Sequence, residues 1–180
     1  MDYKYHLFLL YMPRYAFLGP MASGKSWTAA KMMESLECEK LSFADPVKAI
    51  AREHFGMTTK DRKLLQTIGL TGRVLDPDVW VNKLLSQVKE GGSYVVDDVR
   101  YPNELLALKN LGFITVWLET SKEERIRRLK STYGVKDSVQ HIQNMSDESE
   151  HSVHSSMADI VWTNPDARVS ELVEFYSNEI

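Results

Sequence analysis

The residues Gly19-Pro20-Met21-Ala22-Ser23-Gly24-Lys25-Ser26 follow the pattern G-x-x-x-x-G-K-S, which handles phosphate. Each residue type has a physical reason to be there. Glycines let backbone N–H groups face an anion without interference from Cβ. A helix N-terminus behind the loop adds partial positive charge. The Lys25 ammonium would reach the outer phosphates, and the Ser26 hydroxyl would ligate a magnesium ion. The flanks agree. Arg14-Tyr15-Ala16-Phe17-Leu18 is a short, mostly apolar run suited to a buried strand. Trp27 to Leu36 is rich in helix formers and holds no Pro or Gly. The residues expected to cradle a nucleotide are Gly19, Ala22, Ser23, Gly24, Lys25, Ser26 and Trp27.

Magnesium needs oxygen ligands beyond a hydroxyl and phosphates, and a carboxylate at a neighbouring strand end supplies one. Asp97 and Asp98 follow the apolar run Tyr94-Val95-Val96 in that position. Asp97 is nearer the strand and is preferred, although Asp98 is not excluded and could merely open a turn. Arginines are the next signal, because their planar fork matches a phosphate. Arg62, Arg73 and Arg100 fall near strand ends or in the segment between the second and third strands. Each could equally be a solvated surface charge. Gln66 lies one helical turn after Arg62, and with Trp80 it could bind a base. Trp80 is also spaced with Leu84 as a core residue would be. Arg125, Arg127 and Arg128 sit on one charged helix whose buried side is marked by Ile126 and Leu129. Arg128 is the candidate for touching donor phosphates; a solvated helix face is the alternative.

These side chains need strands and helices in alternation, the pattern of a parallel sheet with covering helices. Lys40–Phe43 reads as a second strand. Asp45-Pro46 opens a helix, with Asp45 as N-cap, that runs to about His54 and stops at Gly56. Thr58 to Leu70 reads as another, capped by Thr58 or Thr59. Asp76-Pro77 repeats the cap-then-proline start for a helix through Val88, which Gly91-Gly92 breaks. After the strand ending at Val96, Pro102 starts a helix that stops at Gly112. Phe113–Leu118 is a near-continuous apolar strand. Ser121 caps a helix to about Lys130, and residues 132–148 are polar without clear periodicity. Ala158–Trp162 is the last strand and Val169–Tyr176 the last helix. Asp147 and Glu150 have capping-box spacing. His151 and His154 are three apart, but read as exposed polar residues rather than metal ligands.

A chain of 180 residues suffices for one domain with a sizeable core. Its net charge of −3 argues against a broad nucleic-acid surface. One cysteine, Cys38, forbids a disulfide within the chain and points to a reducing, cytoplasmic setting. The apolar run Leu7–Met12 is too short for a membrane span and lacks a small-x-small cleavage site. Translation starting at Met12 would leave residues 1–11 as an extension without a role in the fold; an edge strand is the alternative.

The pieces together resemble the deoxynucleoside monophosphate kinases of bacteriophages, within the wider nucleoside monophosphate kinase group. The resemblance is carried by Gly19–Ser26, by Phe43-Ala44-Asp45-Pro46-Val47-Lys48, and by Arg62-Lys63-Leu64-Leu65-Gln66 with Gly69 and Arg73. Asp76-Pro77-Asp78-Val79-Trp80, the run Val96 to Glu104, Ser149-Glu150 and Ala158–Val161 with Asn164 continue it. It implies an α/β P-loop kinase three-layer fold: a mostly parallel sheet of about five strands with helices on both faces. It implies one domain, with a monophosphate-binding insertion at about 45–85 and a lid at about 130–150. ATP and Mg2+ would be the donor, and a deoxynucleoside monophosphate the acceptor, bound by Asp45, Lys48, Arg62, Gln66, Arg73, Trp80, Arg100 and Glu104. Lys25, Asp45 and Arg128 would act in catalysis, and Ser26, Asp97 and Asp98 at the metal. Partners would be small nucleotides rather than nucleic acid or membrane, with a homodimer allowed, in the host cytoplasm if the chain is of phage origin. One departure stands out: residues 129–167 hold no arginine, where related lids often carry several. A kinase acting on a hydroxyl, as with dephospho-coenzyme A, would use Asp45 as general base. A nucleotide-dependent switch or ATPase is a further class, though the guanine-binding Asn-Lys-x-Asp is missing.

Overall fold

Strands covered on both faces read as continuous apolar runs, while edge strands stay partly polar. A computed structural model describes residues 13–143, 152–163, 168–172 and 174. In chain order the elements are β1 (Arg14–Leu18), α1 (Lys25–Ser35), β2 (Glu39–Leu41), α2 (Ala44–Phe55), α3 (Arg62–Leu75), α4 (Val79–Leu85), β3 (Tyr94–Val96), α5 (Pro102–Asn110), β4 (Ile114–Leu118), α6 (Lys122–Gln143) and β5 (Ile160–Trp162). The strands form one sheet in the order β2-β3-β1-β4-β5. β1 runs parallel to β3 and β4, and β5 parallel to β4. The three central strands are the buried ones, whereas β2 and β5 expose two of three residues each. This is the expected α/β P-loop kinase fold. The expectations for residues 1–11, for Asp147–Glu150 and for His151 fall outside the described residues, as do parts of the expected lid and of the expected last helix.

Two compact units make up the chain: residues up to 40 with those from 91 onward, and residues 41–90. In the first, Tyr15 and Phe17 of β1 pack with Ala29 and Met32 of α1, Val95, Val116, Leu118, Trp162 and Val169. Tyr15 and Phe17 stack at 6.2 Å, and Phe17 meets Trp162 at 5.8 Å. Arg14 braces the start of the sheet through the carbonyls of Gly92 (2.9 Å) and Leu111 (3.0 Å). In the second unit, Trp80 is buried and its indole N–H donates to the Gly69 carbonyl at 2.9 Å. A Cβ on Gly72 would lie 2.4 Å from the Trp80 ring, so glycine is required there.

Several element boundaries differ from the sequence reading, each for a local reason. α2 begins at Ala44, because Ser42 Oγ accepts the Ala44 N–H at 3.2 Å; Asp45 lies inside the first turn instead of capping it. α3 begins at Arg62 because the Asp61 carboxylate, not Thr58 or Thr59, accepts the Leu64 N–H at 3.0 Å. It continues past Leu70 because its glycines make room for Trp80 and Arg73. Asp76 closes α3 and Asp78 precedes α4, so the proline lies in a link between helices. α4 stops at Leu85, before Val88. Ser121 Oγ does cap α6, accepting the Glu124 N–H at 3.2 Å. That helix runs on to Gln143, with a break at Gly134 (φ 77°), where the sequence suggested an end near Lys130.

Asp159, just before β5, ties two strands together. Its Oδ2 accepts from the Thr115 N–H (2.9 Å) and Oγ1 (2.7 Å), and its Oδ1 from Lys109 (2.7 Å). Burial alone would raise its pKa; hydrogen bonds from Lys109 and Thr115 override that and lower it. The stabilisation is therefore present above the ordinary carboxylate range and fades as pH falls through the lowered value. Asp159→Ala strands donors on fully buried Thr115. It is expected to cost about 1–3 kcal/mol, seen as a lower urea midpoint with unchanged slope.

Candidate phosphate-binding site

The loop between β1 and α1 departs from ordinary backbone where the motif requires it. Gly19 (φ 134°), Ala22 (φ 64°) and Gly24 (φ 108°) all have positive φ. A Cβ on Gly19 would meet Ser23 Oγ at 2.8 Å and the Leu118 carbonyl at 2.9 Å. Only glycine lets the loop close there. Gly24 sits at the N-cap of α1 and gives it no side-chain cap, and the first turn holds no acidic residue. A helix start of this kind favours an anion as its cap. Lys25 folds back over the loop, its Nζ donating to the carbonyls of Gly19 (2.5 Å) and Pro20 (2.9 Å). Ser26 and Trp27 are exposed on the first turn. Ser23 Oγ is buried without a hydrogen-bond partner among the described residues.

The carbonyls of Met21, Ala22 and Ser23 are held instead from α6 and from Thr120 just before it. Arg128 Nη1 donates to the carbonyls of Ser23 (2.9 Å) and Ala22 (3.3 Å), while its Nε binds Glu124 at 2.9 Å. Arg125 Nη1 reaches the Met21 carbonyl at 3.4 Å, and Thr120 Oγ1 donates to the Ser23 carbonyl at 3.1 Å. Arg127 points outward and pairs with Glu124. Hydrogen bonds from Arg127 and then Arg128 hold the Glu124 carboxyl down at about 2. Arg128 is thus placed at the loop, while Arg127 keeps to the solvated face. Thr120 was missed in the sequence; its position just after a buried strand, on the side where ligands bind in α/β sheets, was the available signal.

Beside β1 lies β3, and its register sets Val96 opposite Ala16. Asp97 and Asp98 follow directly on the end of β3, at the same end of the sheet as the loop after β1. Asp97 is buried, and its Oδ2 accepts from Lys40 at 2.7 Å; Asp98 is half-buried. The donor set of Ser26 hydroxyl and two carboxylates is all hard oxygen, which fits a magnesium ion. Among the described residues no three His, Cys, Asp or Glu groups gather to form a metal site of their own. The ion's other ligands would then be phosphate and water. Lys40 was also missed in the sequence, because only the sheet order brings its strand beside β3.

Glu104, read as an acceptor residue, has a different task. It is 1% exposed, and its Oε2 accepts the N–H groups of Arg100 (2.8 Å) and Tyr101 (3.1 Å). It shapes the turn that carries Arg100 and offers no surface to a ligand. In the second unit, Arg62, Gln66 and Arg73 fall along one face of α3, and Arg73 Nη1 donates to the Gly69 carbonyl at 3.1 Å. Asp45 and Lys48 form an exposed i,i+3 pair at 2.7 Å, a kind that adds little stability. Trp80 is committed to packing, so base stacking does not suit it. Burial pushes the Cys38 thiol up to about 11, which leaves it a poor nucleophile.

A glycine loop between a buried parallel strand and a helix without a side-chain cap, beside a strand ending in two aspartates, defines a nucleotide-binding P-loop protein of kinase fold. The family model described as an AAA domain, AAA_18, matches residues 16–150, and the chain belongs to that family. Among solved structures it is similar to shikimate kinase from Acinetobacter baumannii in complex with shikimate, at 16% identity and a TM-score of 0.57, over 93% of this chain and 94% of that one. An uncharacterized protein from Eubacterium ventriosum gives 12% identity and a TM-score of 0.56, over 92% and 99%. Both likenesses concern the fold. Uncharacterized protein ORF77 of Ictalurid herpesvirus 1 (strain Auburn) is 32% identical over 109 residues, 56% of this chain and 48% of that protein. The chain thus spans about half the length of the curated relative it matches. No described helix is long and apolar enough to cross a membrane.

Proposed function

We propose that this chain transfers the terminal phosphoryl group of ATP to a deoxynucleoside monophosphate. The observation that carries the donor half is the loop itself: positive-φ glycines, a helix start without a side-chain cap, and Lys25 folded over the mouth. An acceptor phosphate oxygen would attack the γ-phosphorus, and the bond to the β–γ bridging oxygen would break, releasing ADP. That oxygen is already a nucleophile, so the site needs charge neutralisation and in-line placement more than a base. Magnesium, held through Ser26 and Asp97 or Asp98, would supply part of that neutralisation. Lys25 and Arg128 serve the donor side. Arg62, Gln66 and Arg73 on α3, with Arg100, Asp45 and Lys48, serve the acceptor, as the resemblance to phage deoxynucleoside monophosphate kinases implies.

The test is coupled ADP production from ATP and magnesium, with each common dNMP and NMP offered separately. Strong stimulation by one or more dNMPs is expected. ATP bound without stimulation by any monophosphate would overturn the acceptor and favour a hydroxyl substrate. ADP release at one rate whatever is added would mark an ATPase instead.

A further inference from the structure

We propose that Lys40 is a displaceable internal cation that holds Asp97 when no metal is bound and yields it when a divalent ion arrives. The inference rests on reading Asp97 as the metal-linked carboxylate. It starts from a mismatch in burial. The Asp97 side chain is only 4% exposed, at the end of the strand beside β1. A buried carboxylate without a partner is costly, so a cation beside it is favoured. The partner it has is Lys40 Nζ, 2.7 Å away and 38% exposed.

That pairing is asymmetric. Asp97 cannot move to water, but Lys40 can. Its ammonium is a compact charge on a flexible stem that rehydrates readily, unlike an arginine fork. The ammonium occupies one side of Oδ2 at 2.7 Å, and its positive charge there repels a divalent ion approaching the same carboxylate. The two cations therefore compete for one carboxylate. With no acidic cluster among the described residues, the protein alone offers few ligands to a metal. Lys40 then suppresses idle binding in the absence of nucleotide. Once phosphates and the Ser26 hydroxyl add ligands, the balance tips, and Lys40 swings outward. Its position on β2 makes it a positioning residue, not one that touches the transferred group.

The experiment measures Mn2+ binding to the full chain without nucleotide, by the electron paramagnetic resonance signal of free Mn2+. Thermal unfolding in EDTA and in millimolar Mg2+ runs alongside. Lys40→Met should bind Mn2+ at least about tenfold more tightly than the wild type, since a competing charge is gone. It should unfold at lower temperature in EDTA and recover in Mg2+, whereas the wild type should respond little to Mg2+ alone. Asp97→Asn added to Lys40→Met should abolish the gain. Should Lys40→Met fold poorly, Lys40→Gln keeps a neutral donor to Asp97 and should show the same tightening. Wild-type Mn2+ affinity in whichever variant folds, with stability that Mg2+ does not restore, would overturn the proposal: Lys40 would be a structural partner only. No acceptor is present in these measurements. A dNMP-kinase reading that fails leaves them intact, and their failure leaves dNMP-stimulated ADP production intact.

Discussion

Replacing Lys25 with methionine is expected to lower ADP formation by about 10²–10³-fold, about 2.7–4 kcal/mol of transition-state stabilisation. The stem is nearly preserved, so packing should change little; the lost part is the charge. That charge rests on the Gly19 and Pro20 carbonyls. Those two contacts hold it at the mouth, above the start of α1, where outer phosphates would lie. A preorganised donor there costs no reorganisation during transfer. The loss should appear mainly in kcat, because negative charge on the bridging and outer oxygens grows as the bond breaks. Thermal unfolding of Lys25→Met should stay close to that of the wild type. A variant retaining activity within tenfold would mean that this loop does not hold the donor.

How much of this was legible in the sequence depended on the range of the interaction. The loop could be read because its requirements are local: glycine at two of its three positive-φ positions, lysine and serine at the helix start. The central strands could be read because burial on both faces leaves unbroken apolar runs. Helix starts were less legible. Asp45 and Asp61 are both good capping types, yet only Asp61 caps, because Ser42 had already taken the start of α2. Gly72 looks like a breaker until Trp80, eight residues on, fills the space it leaves, and Gly69 until the Arg73 guanidinium lies against it. The Lys40–Asp97 pair spans 57 positions, and the Arg128–Ser23 contact spans 105. No periodicity within a segment encodes either; each needs the sheet order. Glu104 misled for a related reason: a family motif does not say whether a carboxylate faces ligand or backbone.

Arg128→Ala is the second large effect expected, about 10²-fold or more in kcat. Its guanidinium serves two ends at once: Nη1 binds the Ser23 and Ala22 carbonyls, and Nε binds Glu124. Braced carbonyls keep the N–H groups of the loop turned toward the anion, a positioning effect. A guanidinium already against the loop is also within a short swing of the phosphates, a direct effect. Kinetics separate the two. Loss of bracing alone should weaken ATP binding and spare kcat, whereas loss of a phosphate contact formed during transfer should lower kcat at nearly constant ATP affinity. The second pattern is expected, because Thr120 and Arg125 still hold the Ser23 and Met21 carbonyls when Arg128 is gone. Arg128→Lys should rescue little: an ammonium lacks the fork that binds Glu124 and the loop together. Glu124 is ionised far below working pH, since Arg127 and Arg128 hold its carboxyl at about 2. A group lowered in this way contributes above its unfolded pKa and loses its effect only on strong acidification. The Glu124–Arg128 pair should therefore add no inflection to the pH–rate profile between about pH 5 and about pH 9, and Glu124→Gln should lower kcat by the same factor across that range. A loss in Glu124→Gln that varied with pH there would mean that another titrating group, not this pair, sets the position of Arg128.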